Sequence, residues 1–339
     1  MDDRELARVG AWMAKNVPGF SGPLSATKFD VGQSNPTYRL NAGSGAYVLR
    51  RKPHGDLLKS AHAVDREFRV QAALWQTEVP VPKVLALCED DSVLGAMFYV
   101  MEHVGGRNID EPAMAGASPE ERTGIAEEMA RVLAAIHSVD VEAVGLSDYG
   151  PPGDYYARQL ARWTKQYRAS ETGTVSEMNR LLDWLGANMP EEDGQRTLVH
   201  GDYRIDNMLF EADGTGCRAV LDWELSTLGH PYADLAGVIM QWQLPPGPEG
   251  RGLDGLDRGE LGLPTDAEFV EMYCAERGIA VPKAFGFYVA FAFFRMGAIL
   301  QGVKKRALDG NASNPEKALR LGAFVPRFGY LGLRAAGDV

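Results

Sequence analysis

The sequence predicts an α+β fold in two lobes: a small antiparallel sheet carrying one helix, then a larger, mainly helical part. Three observations predict it. Between residues 27 and 51, short β-branched and aromatic runs alternate with Gly, Ser, Asn and Pro, the pattern of a strand meander. From about Ser118 the apolar residues recur at helical spacing along most of the remaining chain. Between the two, 102-EHVGGR-107 supplies a turn, which sets the expected lobes at 1–103 and 104–339.

The N-terminal stretch MDDRELARVGAWMAKNV places Leu6, Val9, Trp12 and Met13 at helical spacing; it opens acidic and lacks the continuous apolar run of a signal peptide. Strands are expected at TKFDV (27–31), TYRLN (37–41) and AYVLRR (46–51), joined by the turns GQSNP and AGSG. Residues 60–76 read as the small lobe's helix, with Ser60 as N-cap and Ala61, Val64, Phe68, Ala72 and Trp75 along one stripe. A loop and strand at 79–90 and a strand at 95–104 complete that lobe.

The larger lobe opens with a helix over 119–139, whose face is formed by Ile125, Met129, Val132, Leu133 and Ile136. Helices follow near 154–168, 174–188, 231–243, 266–277, 283–305 and 315–326. One β island interrupts them: NMLF (207–210) and CRAVLDW (217–223) flank EADGTG as a hairpin. Residues 245–264, rich in Gly and Pro with mixed charge, read as a mobile loop.

Composition narrows the function. The 339 residues carry a formal net charge of −11, so neither nucleic acid nor an anionic membrane is an expected partner. Cys88, Cys217 and Cys274 are far apart and follow no metal-ligand spacing, a usage that suits a reducing cytoplasm, the expected location. The histidines share no consistent spacing, which argues against zinc. The run FGFYVAFAFFRMGAILQGV (285–303) sits at the short end of the roughly 20 apolar residues a membrane span requires and holds Arg295 mid-run, so it reads as a buried helix.

The stretch 198-LVHGDYRIDNMLF-210 concentrates polar groups between two apolar shoulders. Asp202 and Asn207 lie five apart on one loop, and the hairpin returns Asp222 to the same end. A carboxylate and an amide oxygen can then ligate a hard divalent cation, for which Mg2+ is the natural choice, while a second carboxylate accepts a proton. A base beside a metal–phosphate centre is what phosphoryl transfer to a hydroxyl needs.

HGDYRIDN followed by LDWE resembles the catalytic loop and metal-binding segment of the aminoglycoside phosphotransferase and choline kinase group, within the protein-kinase-like superfamily. The resemblance implies a bilobal protein-kinase-like fold, ATP and Mg2+ as cofactors, and a small-molecule hydroxyl as acceptor. It implies Asp202 as catalytic base, Asn207 and Asp222 as magnesium ligands, and Arg204 near the transferred phosphate. Glu67, in DREF, resembles the helix glutamate that pairs with a phosphate-binding lysine; here Arg50 stands where the family has that lysine, with Lys52 on the same strand face as the other basic choice.

The nucleotide turn is VGQSNPTY (31–38), in which Gly32 allows close backbone approach and Ser34 and Asn35 offer side-chain donors. The backbone of Glu102 and Val104, after FYVM, is expected to meet adenine with Met101 behind the ring. GQSNPTY, YVLRRKP, DREF, HGDYRIDN and LDWELSTLGHPYADLA together resemble the kinase-like domain that works with acyl-CoA dehydrogenases. That resemblance implies a 4-hydroxyacyl-CoA as acceptor.

Blander roles compete at several positions. His200 reads as an orienting residue, Asp206 as solvent-facing, Asp234 as a cap or loop brace, and Glu224 as either metal contact or solvated side chain. Glu67 has a surface pair with Arg66 or Arg69 as its alternative. His137 reads as a packed residue ending a helix, and 304-KKR-306 as a solvated face. The rival functions are an aminoglycoside or choline-like alcohol kinase, a phosphohydrolase with metal on His200, Asp202, Asp222 and Asp234, and a catalytically silent nucleotide-binding module.

Overall fold

The computed structural model describes residues 1–29, 35–53, 63–312 and 314–338. Helix α1 (Asp3–Asn16) starts at a capping box, in which Asp2 accepts from the Glu5 amide and Glu5 from the Asp2 amide. Strands β1 (Ser25–Lys28), β2 (Thr37–Ala42) and β3 (Gly45–Arg51) precede α2 (Val64–Leu74), β4 (Val84–Cys88), the short α3 (Asp91–Leu94) and β5 (Phe98–Glu102). They form a five-stranded sheet in the order β1-β2-β3-β5-β4, antiparallel at every pairing.

Alternation along β3 decides what faces what. Leu49 joins Val9 and Met13 of α1, while Val48 turns to the opposite face with Tyr99, Met101 and Val64 of α2. Arg50 shares the parity of Val48, and the registers set it opposite Thr37 and Tyr99.

The stripe expected along α2 is not the one the structure buries. Val64, Glu67, Val70, Gln71 and Leu74 are inside, whereas Ala72 and Trp75 are exposed, and Ser60 and Ala61 lie outside the described residues. The helix starts after Ala63 without a side-chain cap. Its inner face is partly polar because it turns two hydrogen-bonding side chains toward Arg50 and Tyr99.

The remainder is mainly helical: β6 (Arg107–Asn108), α4 (Pro119–His137), α5 (Tyr155–Ser170), α6 (Ser176–Ala187), β7 (Thr197–Val199), β8 (Met208–Phe210), β9 (Cys217–Val220), β10 (Thr227–Gly229), α7 (Tyr232–Trp242), α8 (Arg258–Leu261), α9 (Asp266–Arg277), α10 (Gly286–Leu308), α11 (Pro315–Gly322) and α12 (Val325–Ala336). Strands β8 and β9 form the expected hairpin, and β6 adds to its edge. The helix expected over 315–326 breaks at Ala323–Phe324, after which α12 begins with Val325 and Pro326 in its first turn and runs ten residues beyond the expected end.

Helix α10 is long and apolar enough to cross a membrane by length and composition, but 61% of its most apolar window is buried, against α5, α6, α7, α11 and α12. The segment 245–264 is folded rather than free. Gly252 and Leu253 donate backbone hydrogen bonds to Pro245 and Trp242, and α8 lies within it.

Candidate active site

The loop between β7 and β8 is held from below by Asp234 of α7. Asp234 Oδ2 accepts the His200 amide at 2.6 Å and Oδ1 the Gly201 amide at 2.8 Å. His137, at the end of α4, reaches the same carboxylate at 3.3 Å while its Nδ1 lies 2.8 Å from the Tyr273 hydroxyl. Burial alone would raise Asp234, but His137 and the Gly201 amide hold it below the ordinary aspartate value. His200, fully buried, is spent on the scaffold too: Nε2 lies 2.9 Å from the Leu221 carbonyl and Nδ1 accepts the Asp202 amide at 3.3 Å. Gly201 has φ of +85°, and a Cβ there would sit 2.6 Å from the Leu225 carbonyl oxygen.

This brace presents Asp202 at a large cavity. Asn207 Nδ2 donates to the Asp202 carbonyl at 2.8 Å and to Oδ2 at 3.1 Å, which locks the two side chains together. With its nitrogen so committed, Asn207 has Oδ1 as the atom it can offer a cation. Arg204 lies 3.3 Å from Asp202 and 3.1 Å from Asp206. Asp206 does not face solvent as expected: it is 13% exposed, because Arg251 also bridges it, at 3.1 Å. The Leu221 amide donates to the Asn207 carbonyl at 2.8 Å, so the hairpin returns Asp222 to the end of the loop. Asp222 itself adopts the left-handed region, with φ of 66°.

Across the cleft, Arg50 links the sheet to this hairpin. Its Nε is 2.7 Å from Glu67 and its Nη2 is 2.5 Å from Asp222, with Glu224 at 3.8 Å. Glu67 also accepts from Asn35 at 2.8 Å and from the Tyr99 hydroxyl at 3.1 Å, and Gln71 donates to Tyr99 at 3.0 Å. Burial pushes Glu67 up to about 7, with Arg50 opposing. Burial works against the Arg50 charge, but Glu67 and then Tyr99, Asp222 and Glu224 hold it above its ordinary value. The alternative surface pairing of Glu67 does not form: Arg69 pairs with Asp148, and Arg66 donates to the Tyr149 carbonyl.

Of the other expected nucleotide contacts, Gly32 and Ser34 lie outside the described residues. Asn35 is 2% exposed and bonds Glu67 and Glu224. Lys52 turns to Asp65 at 3.7 Å, so among the two basic candidates Arg50 is the one brought to the cleft carboxylates. The Glu102 amide donates to Lys83 at 2.9 Å, so an adenine contact by Glu102 would use its carbonyl, with Val104 supplying an N–H. Met101, Val48 and Val84 form an apolar patch beside them.

The cavity beside Asp202 has a volume of about 810 Å3. Its walls are largely apolar, with Met240, Leu244, Phe291, Ile299, Phe324 and Phe328 among them. Arg204, Arg251, Arg295 and Arg327 also line it. Pro245, Pro246 and Pro248 of the 245–264 segment form part of the wall. Of its acidic residues besides Asp202, Asp234 is buried in the loop brace and Glu249 pairs with Arg320 at 3.3 Å.

Asn207 and Asp222 offer oxygen donors of the kind a hard cation takes, and Asp222 also belongs to a carboxylate cluster in which Arg50 is the cation. Carboxylate oxygens of Glu67, Asp222 and Glu224 all lie within 4.8 Å of one another, the one such grouping among the described residues, and it is oxygen-only. The set proposed for a phosphohydrolase does not assemble, since His200 and Asp234 are committed to backbone groups under the loop. Sequence reasoning missed the parts played by Arg295, Arg251, His137 and Tyr273. Each lies at least 45 positions from the loop residue it serves, or serves it through backbone atoms that carry no residue-type signal. Only the charge of Arg295 in an apolar run stood out.

The profile of the phosphotransferase enzyme family matches residues 25–278. Acyl-CoA dehydrogenase family member 10 of Mus musculus is 48% identical over 295 residues, covering 87% of this chain and 28% of the relative. Acyl-CoA dehydrogenase family member 11 of Rattus norvegicus is 41% identical over 333 residues, covering 95% and 42%. The chain thus spans well under half the length of these curated relatives. A crystal structure from Ralstonia eutropha, described as a candidate aminoglycoside phosphotransferase, superposes with a TM-score of 0.90 at 46% identity, covering 98% of both chains. The ternary complex of aminoglycoside phosphotransferase APH(4)-Ia with ADP and hygromycin B, at 17% identity and a TM-score of 0.61 over 96% of this chain and 97% of that one, shares the protein-kinase-like fold. The chain belongs to the phosphotransferase enzyme family.

Proposed function

We propose that the chain moves the terminal phosphoryl group of ATP, with Mg2+, to a hydroxyl of a hydroxyacyl-CoA. The observation that carries this reading is the placement of Asp202 between two unlike surroundings. On one side stand Asn207 and, at the other end of the hairpin, Asp222 with Arg50; on the other lies an apolar, arginine-bearing cavity. The nucleotide would bring the phosphoryl group, and magnesium would offset its charge.

Asn207 and Asp222 would hold the metal. Arg50, kept in place by Glu67, would meet phosphate oxygens with a fork suited to them. Asp202 would accept the acceptor's hydroxyl proton at a carboxylate oxygen, and its lock to Asn207 fixes that oxygen before substrate arrives. Arg204, beside Asp202, adds positive charge where charge develops.

An aminoglycoside is a polycation and would favour an acidic wall. Here the arginines outnumber the acidic groups not already engaged. An acyl chain suits the apolar wall, and the names of the relatives sharing 41–48% identity support an acyl-CoA acceptor.

The test is ATP consumption with Mg2+ across hydroxyacyl-CoAs, choline-like alcohols and aminoglycosides. The reading expects consumption with hydroxyacyl-CoAs alone. Consumption with aminoglycosides alone would overturn the acceptor, and none with any class would favour a silent nucleotide-binding module.

A further inference from the structure

Arg295 is a guanidinium in the middle of the apolar helix α10. It is half-buried, and the part of it that is not packed lines the cavity. Among the described residues Arg295 has no carboxylate partner. Its one hydrogen bond runs from Nη2 to the Gly201 carbonyl at 3.2 Å, and its Cζ lies 5.8 Å from the Trp163 ring centroid. An arginine carries five donors, so most of its capacity is unspent. Arg204 and Arg251 differ, because both are bound to Asp206 at 3.1 Å.

Arg295 also lines the acceptor cavity, and the residue it touches immediately precedes Asp202. A second, independent feature lies on the same wall. Tyr156 of α5, a helix packed on α10, is 3% exposed, and its hydroxyl is buried with no hydrogen-bond partner among the described residues. Its ring packs on Tyr155, His230, Phe287, Tyr288 and Phe291, which fix its position in the wall. A buried hydroxyl is normally paired, so this one, in a residue that lines the cavity, is a donor left over by the described residues, and a ligand group reaches it only if the wall yields slightly.

We infer that Arg295, with Tyr156 as a second donor, receives an acyl carbonyl oxygen of the acceptor while the acceptor's hydroxyl lies at Asp202. The inference rests on the hydroxyacyl reading above and adds the residues that would select for the acyl group. It makes Arg295 a determinant of which hydroxyl compounds are used, through a contact that a simple alcohol cannot make. Loss of a hydrogen bond to a charged group lowers discrimination by about 10- to 100-fold, and loss of a neutral one by about 2- to 10-fold.

The experiment compares three acceptors with ATP and Mg2+: a 4-hydroxyacyl-CoA, the free 4-hydroxy acid, and the corresponding diol without a carbonyl. The unchanged protein should favour the two acyl compounds by kcat/KM. In Arg295→Leu the acyl-to-diol ratio should fall by about 10- to 100-fold, mainly through KM, and Arg295→Lys should restore part of it. Tyr156→Phe, which removes only an unpaired hydroxyl, should keep its melting temperature and lose about 2- to 10-fold of the ratio. This variant carries the test should Arg295→Leu fail to fold.

A greater fall for the free acid would identify a carboxylate as the bound group, and a greater fall for the thioester a neutral carbonyl. Either supports the inference. Equal losses for all three acceptors, or a ratio unchanged in both variants, would overturn it while leaving the proposed function standing. No turnover of any acceptor by the unchanged protein would withdraw both.

Discussion

Arg50 Nη2 lies 2.5 Å from Asp222 Oδ1, joining residues 172 positions apart across the cleft. The same guanidinium holds Glu67, so one side chain ties β3, α2 and the hairpin together. It acts as the internal cation of a cluster of three carboxylates. The comparable position in the family resemblance is a lysine, whose single ammonium cannot span two carboxylates with a fork.

Replacing Arg50 by Met should therefore leave Glu67, Asp222 and Glu224 without their cation. The loss expected is about 3–5 kcal/mol, the usual effect of removing one partner of a buried pair. Urea denaturation with and without Mg2+ checks it, and added Mg2+ should return part of the stability. Unchanged stability would mean that water already screens the cluster.

The raised value of Glu67 gives a pH dependence of known sign. Between its ordinary value of 4.5 and about 7, the folded protein binds more protons at this site than the unfolded chain. The contribution of Glu67 to stability is therefore present at low pH and declines as pH rises through that window. Glu67→Gln should remove the decline, on the order of 2 kcal/mol, seen as the difference between the two proteins' unfolding free energies from pH 5 to 8. A parallel pH profile for both would refute the assignment.

Asp234 makes a different kind of contribution. Its carboxylate serves two backbone amides and His137 but lies beneath the loop. Asp234→Ala should cost about 1–3 kcal/mol for each buried donor left unsatisfied. It should lower kcat more than it raises the KM for ATP, since it displaces Asp202. Steady-state kinetics and thermal melting read the two effects separately.

Gly201→Ala combines a positive φ with a backbone clash at the Leu225 oxygen. The expected loss is about 1–3 kcal/mol of stability. Turnover should fall with it, because the strained residue is the one before Asp202, the proposed base. Wild-type melting and kinetics in this variant would show that the loop relaxes freely.

The residue pattern made the site more legible than its supports. The order of strands and the hairpin could be read because turn chemistry and hairpin spacing are local, and the same hairpin returns Asp222 toward the loop of Asp202 and Asn207. The inner face of α2 was misread because periodicity assumes an apolar inside, and here Glu67 and Gln71 occupy it to reach Arg50 and Tyr99. The burial of Asp206 was hidden for a similar reason. It depends on Arg251, which a separate segment brings to it. The brace under the loop joins His137, His200, Asp234 and Tyr273 through contacts that no spacing rule links.

The most direct measurement is made on Asp202→Asn, which keeps side-chain size but removes the proton acceptor. ADP formation with ATP, Mg2+ and a 4-hydroxyacyl-CoA should fall by about 100- to 10,000-fold, the usual share of a positioned acid or base. The Kd for ATP, measured by calorimetry on the same protein, should stay within about threefold, since Asp202 lines the large cavity proposed to take the acceptor. Turnover within about tenfold of the unchanged protein would contradict the assignment of Asp202 as the base.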